Sequence, residues 1–207
     1  MKKKILVGII VAAACLLLIG GLGSIYPLKV LKIKSVGVGL KPTKIIEPIE
    51  VAYFLQNDPL WAAESLGNSN SSLGSSGCLV SSIATAVNNY GFSYTPKELN
   101  ELFTENDVYT ENGLVIWKNI KLAIPELGYE YSRIFDVKTI EKLIDSGKLP
   151  IIEVKYKGVG INHWVAVIGS DGTDFLVMDP LNQSKTPTKL SEHGSRAYAY
   201  RVIVNAP

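Results

Sequence analysis

The chain has 207 residues, 47% of them hydrophobic and 19% charged, with a formal net charge of +2. That length leaves room for one membrane-length segment and one domain of roughly 150 residues with a proper core. The charge is uneven: residues 1–44 carry eight lysines and no acid, while residues 45–207 carry thirteen basic against nineteen acidic residues, a net −6 that argues against a nucleic-acid partner.

Lys2-Lys3-Lys4 precedes an uncharged apolar run from Ile5 to Leu22. Residues 1–25 are therefore expected to be a transmembrane anchor or a secretory signal sequence. The positive-inside rule puts the lysines in the cytoplasm and the following domain outside, either single-pass in the cell membrane or secreted after cleavage. Residues 26–48 read as a basic stalk, with Lys29, Lys32, Lys34, Lys41 and Lys44 set among apolar residues and punctuated by Pro42 and Pro48. Cys15 lies in the apolar run, so Cys78 is the lone cysteine of the domain 49–207. A lone thiol in an exported domain suggests an intermolecular bond or a reactive residue.

Within the domain, Ile49–Tyr53 reads as a short strand, followed by Gln56-Asn57-Asp58 and by Trp61 as a core anchor. Residues 67–77 form a polar Gly/Ser/Asn loop. Leu79, Ile83, Ala86, Val87 and Tyr90 then recur at helical spacing until Gly91, which places Cys78 at a helix mouth. Backbone N–H groups and the helix dipole there are expected to lower the thiol pKa, and a thiolate is the nucleophile of a cysteine hydrolase. Thr95-Pro96-Lys97-Glu98 is a capping box with proline at the first helical position, starting a helix to about Phe103. Leu114–Leu127 is expected to be helical with Trp117, Ile120 and Ile124 inward, and Tyr129–Ile134 extended. Val137–Ser146 is an amphipathic helix closed by Gly147.

From Pro150 the pattern turns to strands: Ile151–Tyr156, a fully covered Asn162–Gly169, an Asp171-Gly172 turn, Phe175–Met178 and Ala197–Val204. Helices first and antiparallel strands after make this an α+β domain with segregated halves. The turn brings His163 near Asp179. If both point to one face, the carboxylate fixes the imidazole tautomer and leaves the other ring nitrogen for the thiol, the logic of a Cys-His-Asp triad. The amide of Gln56 suits an oxyanion hole. His193, in a Ser-Glu-His-Gly-Ser loop, reads as a solvated turn residue and as the fallback base. One cysteine and two histidines lack the paired spacing of a zinc site.

Gln56-Asn57-Asp58 with Trp61, Gly77-Cys78, His163-Trp164-Val165-Ala166-Val167-Ile168-Gly169 and Asp179-Pro180 resemble, in that order, the C39-like branch of the papain-like cysteine peptidases. The resemblance covers roughly residues 50–205. It implies a papain-like fold, with a helical N-terminal half whose nucleophile helix packs on a C-terminal antiparallel sheet. It also implies Cys78 as nucleophile, His163 as general base, Asp179 as orienter, and Gln56 with the Cys78 N–H as oxyanion donors. Leu79-Val80-Ser81-Ser82 departs from the polar or Gly-Pro-Thr-like sequence that follows the cysteine in many relatives, and no ATP-binding or transporter region is present. The expectation is a monomeric thiol peptidase, or related amide hydrolase, that acts on a peptide or protein through an acyl-thioester and needs no cofactor. The competing readings are an acyl or peptidyl transferase using the same groups, and a catalytically silent binding domain. The complete set of Gln56, Cys78, His163 and Asp179 speaks against the last.

Overall fold

The computed structural model describes residues 25–206. The expected anchor or signal falls almost wholly outside them. Among the described residues no helix is long and apolar enough to cross a membrane.

The elements, in order, begin with helix α1 (25–36) and the two-residue strands β1 (Val38–Gly39) and β2 (Ile45–Ile46). Helices α2 (Leu73–Ser76), α3 (Cys78–Asn88), α4 (Pro96–Glu105) and α5 (Ile120–Ala123) follow. Strand β3 (Leu127–Glu130) and helix α6 (Val137–Asp145) lead into β4 (Pro150–Lys155), β5 (Asn162–Asp171) and β6 (Phe175–Met178). The chain ends with β7 (Thr188–Lys189), β8 (Arg196–Ala197) and β9 (Ala199–Asn205). The main sheet runs β3-β9-β4-β5-β6-β7, antiparallel throughout, with β2 added against β5.

Strand β5 is central and covered on both sides, as its continuous apolar run requires. One face carries a cluster built from α3, α4, Ile151, Ala166, Ile168 and Ile203. The other carries α6 through Ile140 and Ile144, with Val165, Val167 and Val202. Helix α3 is buried from Val80 to Val87, so it reads as a core helix rather than an amphipathic one. Ser82 Oγ donates to the carbonyl of Trp164 at 3.2 Å, which pins α3 to β5 one turn below Cys78.

Several local expectations hold. Thr95 and Glu98 form the reciprocal capping box, with Pro96 at the start of α4. Gly147 has φ +77° beyond the end of α6. Other expectations are corrected. Leu114–Leu127 is not one helix: it holds a 3-10 turn (Trp117–Asn119) and the four-residue α5, and Pro125 and Gly128 prevent its extension. Ile49–Tyr53 is extended without strand pairing. Its one backbone–backbone bond, Ile49 N–H to Ile168 O at 2.8 Å, follows Pro48, which has no N–H to give, and the Ala52 carbonyl accepts from the Thr85 hydroxyl instead of a strand. The polar loop contains α2, capped by Ser72 with Ser75. Residues 38–46, read as part of a stalk, contribute β1 and β2 to the domain. Leu40 is buried, and the Thr43 hydroxyl and N–H donate to Glu141.

Candidate active site

Gln56, Cys78 and His163 line one cleft of about 490 Å³, with Trp117 and Trp164 in its walls. Cys78 is the first residue of α3 and is half-buried. It is delivered there by Gly77: a Cβ at that position would lie 2.4 Å from the Leu73 carbonyl oxygen, so only glycine lets α2 turn so tightly into α3. The thiol does not have the lowered pKa expected from its place on the helix. Burial pushes it up, with the Asp179 charge adding to that. The N–H groups of Trp164, Leu79 and Cys78 itself act in the opposite direction without winning.

His163 is the second residue of β5 and is buried. By strand alternation its side chain points away from that of Trp164, toward Asp179. His163 Nε2 lies 2.6 Å from Asp179 Oδ1, which leaves Nδ1 as the ring nitrogen open to another group. Asp179 sits just past the end of β6, before Pro180, and its Oδ1 also accepts the Leu181 N–H at 2.8 Å. Burial pushes the Asp179 carboxyl up, but hydrogen bonds from two imidazoles and the Leu181 N–H outweigh this and hold it well below the usual carboxylate range.

The second imidazole is His193, and this corrects its reading as a solvated turn residue. It is 4% exposed, with Nε2 at 3.1 Å from Asp179 Oδ2. Its Nδ1 accepts the backbone N–H of Lys157 at 3.1 Å, so the ring proton must sit on Nε2 and be donated to Asp179. Lys157 holds φ +50°, an unfavourable conformation for a lysine, in the turn that aims this N–H. The Tyr156 ring packs on both histidines, with centroid separations of 5.6 and 5.7 Å. His193→Leu is expected to leave Asp179 Oδ2 and the Lys157 N–H unpartnered, at a stability cost of about 1–3 kcal/mol. That is roughly 2–10 °C in the unfolding midpoint of a domain this size. Calorimetry of the full chain checks this, and an unchanged midpoint would show the bonds to be dispensable.

Gln56 is also buried, not on the surface. Its Nε2 donates one hydrogen to Gly74 O at 2.8 Å and keeps a second for a ligand. Its own N–H donates to Pro180 O at 2.9 Å, tying it to the strand end that carries Asp179.

His163, Asp179 and His193 have ligand atoms within 4.8 Å of one another, the spacing of a metal set. The donor chemistry does not fit a cation. His193 Nδ1 accepts an N–H, so a metal at Nε2 would demand an imidazolate.

A family model, the Peptidase_C39 like family, matches residues 48–203. The chain belongs to the Peptidase_C39 like family. The α+β, papain-like expectation for its fold stands with that membership. Among solved structures, a protein from Bacillus anthracis assigned as a C39-like peptidase is 14% identical, with 76% of this chain and 99% of that one covered and a TM-score of 0.49. The peptidase domain of Streptococcus ComA, a bifunctional ABC transporter of a quorum-sensing pathway, is 18% identical over 63% of this chain and 90% of that one, with a TM-score of 0.42. No curated protein matches the chain. Membership of the C39-like family indicates a peptidase type of function.

Proposed function

We propose that this C39-like chain is a cysteine peptidase acting on peptides or proteins, held at or exported across the membrane by residues 1–25. The observation that carries the reading is the shared cleft of Gln56, Cys78 and His163, with Asp179 buried behind the imidazole. In the proposed cycle His163 Nδ1 takes the thiol proton as Cys78 Sγ bonds to the substrate carbonyl carbon. The carbonyl electron pair moves onto oxygen, which accepts N–H from Gln56 Nε2 and the Cys78 backbone. Collapse breaks the C–N bond while His163 returns the proton to the leaving amine. Water then attacks the thioester with His163 again as base, releasing the acid and the thiol.

The test is iodoacetamide alkylation of Cys78 across pH, in the wild-type chain and in His163→Ala. The folded thiol is pushed above its ordinary value by burial. Without His163 its thiolate is therefore scarcer than the few per cent that a free thiol of pKa about 8.5 shows at pH 7, and alkylation rises only at still higher pH. With His163 present the proton has an acceptor, and alkylation at pH 7 is expected to be at least about tenfold faster. Identical pH profiles in the two proteins would sink the peptidase reading.

A further inference from the structure

Beside the cleft lies a second cavity of about 360 Å³ on the same face of the sheet. Trp117 lines both, and a smaller hollow between them shares Glu153 and Trp164 with the cleft and Lys34 and Arg201 with the second cavity. The second cavity contains three cations, Lys34, Arg133 and Arg201, and no acidic residue.

Arg201 is the centre of it. Strand β9 alternates, and Arg201 shares its face with Ile203, the face on which α3 packs. The β3–β9 register, continued by one residue, sets Tyr131 opposite Arg201. The guanidinium carbon lies 4.7 Å from the Tyr131 ring centre and 5.7 Å from that of Trp117. Tyr129 stacks on Tyr131 and tilts against Trp117, so the guanidinium sits on a continuous aromatic wall.

That guanidinium is poorly satisfied. Its Nη1 donates to Tyr200 O, while Nε is buried without an acceptor among the described residues. Burial weakens its hold on the proton, with Tyr131, Tyr129 and Glu153 acting in the opposite direction. Glu153 does not answer the charge with an ion pair; its carboxylate accepts from Asn162 Nδ2. Nη2, which is not buried, has no partner among the described residues either, and a half-desolvated, pre-aimed cation with that donor open, flanked by two more cations, is costly to keep unless an anion uses it. A planar fork on an aromatic wall matches a carboxylate.

We infer that this cavity is a subsite for a peptide carboxylate, either an acidic side chain or the free C-terminus, of the segment that runs from the Cys78 cleft past Trp117 to Arg201. The assignment deepens the proposed peptidase reading and rests on it for the direction of the peptide. Its test is a binding measurement, independent of turnover. The full chain carrying Cys78→Ala, in detergent, is titrated by tryptophan fluorescence with blocked alanine pentapeptides. Each bears one Glu or one Gln at a scanned position, and a further peptide has a free C-terminus. At one position Glu is expected to bind about tenfold or more tighter than Gln if the carboxylate is a side chain; if it is terminal, the free acid gains this over the amide. The gain should vanish in Arg201→Gln and survive in part in Arg201→Lys, which keeps charge without the fork. Raising salt to 0.5 M should reduce it without abolishing it, because the site is partly buried. Equal binding of Glu, Gln, acid and amide peptides, or a preference unchanged in Arg201→Gln, overturns the subsite. So does inorganic phosphate displacing the peptides no less from Arg201→Gln than from Arg201. Failure of the peptidase reading would be seen separately, in Cys78 alkylation indifferent to His163.

Discussion

Asp179→Asn is expected to reduce turnover of an activated peptide ester by about 10³–10⁴-fold, the scale of a triad forced into the wrong tautomer. The reason is a count of donors. Three donors address Asp179, His163 and the Leu181 N–H at Oδ1 and His193 at Oδ2, and a carboxylate accepts from all of them. An amide has one oxygen and one NH2. His193 cannot change its tautomer, because its Nδ1 receives the Lys157 N–H. With the amide oxygen toward His193, the NH2 faces His163 and the Leu181 N–H; His163 must then present a bare Nε2 and move its proton to Nδ1, where it no longer acts as a base toward Cys78. With the oxygen toward His163 and Leu181, the NH2 faces a His193 proton that cannot withdraw, so this orientation too is penalised by a donor–donor contact. Asp179→Asn combined with His193→Leu frees the amide to turn its oxygen back to His163, and the double variant should regain at least about tenfold over Asp179→Asn alone. Loss of less than tenfold in the single variant, or no regain in the double, would refute the shared-acceptor account. The substitution should also change the acid limb of stability. The folded Asp179 pKa is depressed, so its contribution is present above the unfolded carboxylate value of about 4 and is lost as pH falls through the folded value. Asp179→Asn should remove that dependence.

Gln56→Ala is expected to lower kcat for the same ester by about 10²–10³-fold with little change in KM, because an oxyanion donor acts mainly on the charged intermediate. Iodoacetamide supplies the control. Its displacement at carbon forms no oxyanion, so alkylation of Cys78 should proceed in Gln56→Ala at the wild-type rate. If alkylation and ester turnover fall together, Gln56 is holding the cleft in shape, through its side-chain bond to Gly74, and is not a donor to the reaction. A modest loss of stability is expected in either case, since the Gly74 carbonyl loses its partner.

Much of this arrangement could be read before any coordinates. The period-3.6 run after Cys78, the apolar β5 and the Asp171-Gly172 turn are local signals. They were sufficient to bring His163 and Asp179 to neighbouring strand ends. What stayed hidden depends on contacts far apart in the chain. His193 has an ordinary turn sequence around it, and its burial comes from the Lys157 turn and from Asp179. The only local hint was that the domain holds two histidines, with the second fourteen residues after Asp179. The thiol's upward shift is hidden from the sequence for a related reason. The N–H groups at the start of α3 are visible in the sequence, whereas the packing that desolvates Cys78 is not. Leu114–Leu127 misled because its apolar spacing serves a cavity wall at Trp117 as well as a core contact at Ile120.

Strand β5 separates the two hydrophobic clusters, and the candidate machinery is divided between them. Cys78 arrives with α3 on one side, while Asp179 and His193 belong with the elements on the other. A chain in which only one layer has docked therefore carries a cysteine without a base, or a base without a cysteine. On the proposed reading, latency then follows from the topology itself: the groups meet only in a chain whose two layers are both in place.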